Sequence, residues 1–123
     1  MASELRVNTL KDASGNNSVA TSVVAEGTAK SWHYFDQSAN TLRDSTNVST
    51  ISDDSATGRY TVNYTNDFNT AYYAVALGTN ALTNQIATSS SLTASSAALR
   101  TRDATQADTE AGISTGMMMG DLA

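Results

Sequence analysis

The chain runs to 123 residues, 40% of them hydrophobic and 15% charged; seven Lys and Arg stand against twelve Asp and Glu, and neither Cys nor Pro occurs. An ordinary soluble domain is roughly 25% charged, whereas here the polarity is carried by Ser, Thr and Asn, which with Ala fill roughly half the chain. That composition excludes a long solvated helical bundle, charge-driven disorder and disulfide or thiolate-metal stabilisation. At a net charge of −5, with scattered basic residues, it also excludes a nucleic-acid partner.

The length fits one small domain with an extended arm. Large apolar side chains are sparse, so the core is expected to be thin and completed between copies of an obligate oligomer. No apolar run approaches the ~20 residues of a membrane span. The N-terminus carries neither the basic start nor the apolar stretch of a secretory signal, so the chain is expected to fold in a cytoplasm without a membrane partner.

In chain order, residues 1–27 read as an N-terminal arm or small hairpin rather than a packed helix. Leu5, Val7 and Leu10 are its candidate attachment residues, and turn formers cluster from Asp12 to Asn17. Residues 28–123 read as the β domain. Ala29 to Asp36 is the clearest early strand, with Trp32 and Tyr34 on one face and Ser31, His33 and Phe35 on the other. Aromatic residues on both faces predict burial on one side and a partner on the other. Leu42 to Ile51 is a weaker strand. The turn signal Asp53 to Gly58 leads into Arg59 to Thr65, where Tyr60, Val62 and Tyr64 alternate at strict period two.

Tyr72 to Leu77 predicts another strand, stopped by Gly78-Thr79-Asn80. From Asn80 to Ser96 the chain reads as a polar stretch anchored only by Leu82, Ile86 and Leu92. Ala97 to Arg102 and Gly112 to Met119 predict the last two strands, with a helix over Ser95 to Ala107 as the alternative to the first of these. Short strands punctuated by turn clusters point to an all-β fold, a small antiparallel sandwich or barrel. Trp32, Tyr34, Met117, Met118 and Met119 are the candidate subunit-interface residues, because aromatic and Met side chains on strands suit a face buried against another copy.

Catalytic chemistry is hard to assemble from this inventory. The single His, His33, could meet Asp36 and a Ser on paper, but no Gly-x-Ser-x-Gly elbow is present, and a strand histidine beside aromatics is the favoured reading. Asp53-Asp54 could begin an oxygen-rich calcium site, yet lacks EF-hand spacing and reads first as a turn. Asp103, Asp108 and Glu110 read as a solvated loop. No catalytic residue, metal or cofactor is expected. The aromatics are expected in the core or at subunit contacts, with a sugar-stacking platform as the alternative.

Two sets of residues carry a resemblance. Ser3 to Asn16 resembles the N-terminal segment of fibre-like virion proteins of tailed phages. Gly27 to Trp32, Leu42 to Ser49, Gly58 to Tyr64 and Tyr72 to Val75 resemble, in the same order, a small β-domain of tail-fibre or phage structural proteins. The departures are the aromatic run Trp32 to Phe35 and the lack of Pro between the Tyr60 and Tyr72 strands. The resemblance implies a β-rich, homotrimeric domain displayed on a virion assembled in the host cytoplasm, with no catalytic residues. Within it, the length of the chain points to a capsid decoration, cement or head-fibre subunit tethered by its arm to other virion proteins. The alternative is a tail-fibre component touching host surface glycans through residues 53–58 or 79–96.

Overall fold

The structure, a computed structural model, describes residues 6–54, 57–80 and 85–123. Its first element is a two-stranded antiparallel hairpin, β1 (Thr9–Lys11) with β2 (Ser18–Ala20). The Asp12 carboxylate organises the turn, accepting from the Asn16 N–H at 3.0 Å and the Asn17 side-chain amide at 2.7 Å. Helix α1 (Thr21–Gly27) follows, where the sequence reads as continued arm; it has no buried residue and no side-chain N-cap. Seven residues are too few for a helix to hold by itself, so α1 depends on what lies against it.

The sandwich consists of two four-stranded antiparallel sheets. One has the order β4 (Thr41–Thr46), β3 (Ala29–Asp36), β10 (Ile113–Met119), β7 (Ala74–Thr79). The other has the order β5 (Val48–Asp53), β6 (Arg59–Tyr64), β9 (Ser96–Arg102), β8 (Ile86–Leu92). The small antiparallel β-sandwich read from the alternation is the fold.

Period-two alternation decides what lies between the sheets. Phe35 and Met118 from the first sheet meet Tyr60, Val62, Tyr64, Ala97 and Leu99 from the second. The Phe35 and Tyr60 rings lie 5.0 Å apart across the gap. Phe68 and Tyr73, from the connection between β6 and β7, close one end as a stacked pair 4.3 Å apart. The Tyr73 hydroxyl sits 3.1 Å from that of Tyr64 and 3.0 Å from the Ser96 carbonyl, so this apolar plug keeps its polar tips satisfied.

Two segments differ from the sequence reading in their strand count, and a third takes the strand form that reading favoured. Leu42 to Ile51 is two strands, because Asn47 adopts φ 56° and turns the chain from one sheet into the other. Asn tolerates that left-handed conformation, and its side chain braces the corner by accepting from the Asn66 N–H at 2.7 Å. The polar stretch Asn80 to Ser96 contains β8, an edge strand whose Ser and Thr leave little apolar alternation to read. The segment Ser95 to Ala107 takes the strand form as β9, paired on both sides, and not the helical alternative.

Gln37 fastens the other end of the sandwich. This buried side chain donates to Ser114 Oγ at 2.8 Å and accepts from the Ala111 N–H at 2.7 Å, while Thr101 Oγ1 of the opposite sheet lies 3.1 Å from the same carbonyl oxygen. Replacing it by an apolar residue of similar size strands those partners in the interior, each at a cost of about 1–3 kcal/mol. Gln37→Leu is therefore expected to lower the unfolding free energy by about 3 kcal/mol, read as a lower denaturant midpoint at unchanged slope.

Candidate functional site

The outer face of the first sheet carries the most distinctive surface of the molecule. On β3, Ser31, His33 and Phe35 turn inward and are buried, which puts Trp32 and Tyr34 outward at 36% and 43% exposure. On β10, Ser114, Gly116 and Met118 turn inward, leaving Thr115 and Met117 outward. Register aligns these side chains into two rows across the sheet. Trp32 stands opposite Met117, which stands opposite Ala76 of β7; Tyr34 stands opposite Thr115, which stands opposite Gly78.

The result is a shallow groove of about 550 Å³, with Trp32, Tyr34 and Met117 as walls and the small residues of β7 as its low side. Gly78 keeps that side low, and a Cβ there would fall 2.9 Å from Thr115 Oγ1. None of the lining residues carries a charge at neutral pH. Asp44 of β4 stands opposite Tyr34 in register and supplies the nearest carboxylate on that strand.

Beneath the groove lies His33. Its ring fits only because Gly116 is opposite it in register: a Cβ at Gly116 would lie 2.3 Å from His33 Cε1. His33 Nε2 is 3.2 Å from the Tyr60 hydroxyl, and Nδ1 is buried with no hydrogen-bond partner among the described residues. Burial lowers the imidazole pKa to about 4 and pushes that of Tyr60 up to about 12, so both are neutral at pH 7. His33 sits among aromatic and hydroxyl side chains; its hydrogen-bond partner is Tyr60, while Asp36 is engaged by Arg43 at 2.7 Å.

The other expected residues fall in four places. Trp32, Tyr34 and Met117 come together on the outer face. Met118 does not join them: it is 0% exposed and belongs to the core, because three consecutive residues on a strand cannot share a face. It is therefore corrected from a subunit-interface residue to a core residue. Met119 lies at the half-buried end of β10, past a break in register with β3. Val7 and Leu10 are exposed on the N-terminal hairpin segment, and Leu5 lies outside the described residues.

The acidic loop is more engaged than its sequence suggests. Asp108 is bound by Arg59, and by Arg102 at 3.2 Å, and the Arg59 contact foremost holds its carboxyl below the usual range. Asp103 accepts from the Thr105 hydroxyl at 2.7 Å and shapes its own turn. The sequence reading passed over Ala76, Gly78 and Thr115 as groove residues. Their signal was faint, because small outward residues matter only once register sets them beside Trp32.

The buried histidine yields a pH dependence with a defined sign. Unfolded His takes up a proton near pH 6.5, whereas the folded ring resists until about pH 4. The unfolded state therefore binds more protons between these values, and stability falls as pH drops through that window, by about 3 kcal/mol in all. The carboxylates with lowered pKa, Asp12, Asp36, Asp103 and Asp108, lose most of their contribution below their ordinary value of 3.8. Thermal unfolding from pH 7 to 4 is expected to show this loss, and His33→Gln is expected to flatten it. No protein-family model, curated protein or solved structure matches this chain.

Proposed function

We propose that this chain is a non-enzymatic structural subunit on the exterior of a tailed-phage virion, a capsid decoration or head-fibre protein that self-associates. The observation that carries the reading is the build of its N-terminal segment. From residue 6 to residue 28 no side chain is buried, yet Val7, Leu10, Val23 and Val24 are all exposed. The hairpin strands pair with each other and with neither sheet of the sandwich, which has its own core. Apolar side chains on an appended element, left uncovered by their own chain, suit a surface that another protein covers.

In this role β1 and β2 offer hairpin edges that extend a sheet of a capsid subunit by strand addition, with Val7 and Leu10 seated in its pockets. The outward edges of β4, β5, β7 and β8 contain no Pro to block pairing, which favours contact between copies. The virion setting and the homotrimeric arrangement rest on the resemblance carried by residues 3–78. The non-catalytic reading is supported by the one His being enclosed in the core.

Counting copies on purified particles tests this directly. Copies in the hundreds fit the capsid; a handful moves the protein to the tail, and absence from particles overturns the proposal. The double substitution Val7→Asp, Leu10→Asp is expected to abolish particle binding while the sandwich keeps its unfolding midpoint. Undiminished binding would remove the tether.

A further inference from the structure

We infer that the outer-face groove of the first sheet binds a neutral saccharide, stacked on Trp32 and Tyr34. This site is independent of the particle-attachment reading, since the hairpin and the groove share no residue. Strands in a sheet lie about 4.8 Å apart and rise about 3.4 Å per residue. The platform from β3 across β10 to β7 is therefore about 10 Å wide, and Trp32 and Tyr34 stand about 7 Å apart along it. A site of about 550 Å³ falls within the size range of small-ligand sites.

The chemistry narrows the occupant. Trp32, Tyr34 and Met117 offer apolar faces, which suit the C–H face of a pyranose ring. The Trp32 indole N–H and the Tyr34 and Thr115 hydroxyls make no hydrogen bond to protein among the described residues, leaving both donors and acceptors for sugar hydroxyls. The close approach of Thr115 Oγ1 to Gly78 places one of these groups over the low side of the groove. No lining residue is charged; Asp44 stands opposite Tyr34, and Lys30, outward at the far end of β3, donates to Thr28 Oγ1 at 2.6 Å, so no cation lines the groove to hold an anionic sugar.

Two other occupants fit less well. An extended peptide would add along the free edge of β7, beside the groove and away from its aromatic walls, since β3 and β10 are each hydrogen-bonded on both sides. A second copy needs roughly 800 Å² per partner, about 20–30 residues a side, and the outward residues of the groove cover a small part of that.

Trp32 is the only tryptophan, so its emission reports the groove without interference. The test titrates the full chain with maltose, cellobiose, lactose and chitobiose. At least one is expected to give a saturable change in emission that is insensitive to salt. Binding, followed by calorimetry, is expected to weaken about tenfold in Tyr34→Ala. Ala76→Phe fills the groove from an exposed position without touching the core and is expected to abolish binding. Saturation by none of the four sugars overturns the inference. So does binding that survives Ala76→Phe, or Trp32 emission that shifts with protein concentration in the absence of sugar, which would place a second copy there.

Discussion

The pairing of β3 with β10 is the constraint on which the rest of the molecule depends. Its register sets Gly116 opposite His33, and only a residue without a Cβ admits the imidazole into the interior. With His33 seated, Ser31 and Phe35 point inward by alternation, Phe35 meets Tyr60 of the facing sheet, and Trp32 and Tyr34 are forced outward. A slip by one residue would exchange the two faces, burying Trp32 and Tyr34 and exposing His33 and Phe35. The core and the groove are thus two consequences of one register.

Around that pair, the low charge of the chain is compensated by uncharged polar side chains used as structure. Asn47 turns the corner between sheets, Gln37 ties both sheets together at one end, and the Tyr64 and Tyr73 hydroxyls keep the other end satisfied. These contacts are short-range and directional, so they fix geometry where a small core alone would leave latitude. Among the described residues, the most developed ion pairing is peripheral, with Asp108 held between Arg59 and Arg102.

Much of this was legible in the sequence, for physical reasons. Ala29–Asp36 and Arg59–Tyr64 were readable because large side chains alternate with small polar ones at period two, and the sandwich follows from having several such strands. β8 was not readable: an edge strand half-exposed on both faces has no apolar stripe, and Thr88-Ser89-Ser90-Ser91 looks like a loop. The turn at Asn47 was missed because one left-handed residue leaves no periodic mark. Helix α1 was missed because it carries no buried stripe at helical spacing. Of the candidate site, Trp32, Tyr34 and Met117 were legible as outward aromatics and sulfur. Their small neighbours on β7 were not, since register across three strands cannot be read from one.

The molecule joins a closed sandwich to an uncovered hairpin and carries an aromatic platform on one outer face. All of it rests on the β3–β10 register, and cross-strand nuclear Overhauser contacts test that register most directly. The account predicts contacts joining His33 to Gly116 and Phe35 to Ser114, with Trp32 meeting Met117. Contacts displaced by one residue, or β3 found against a different strand, would contradict it.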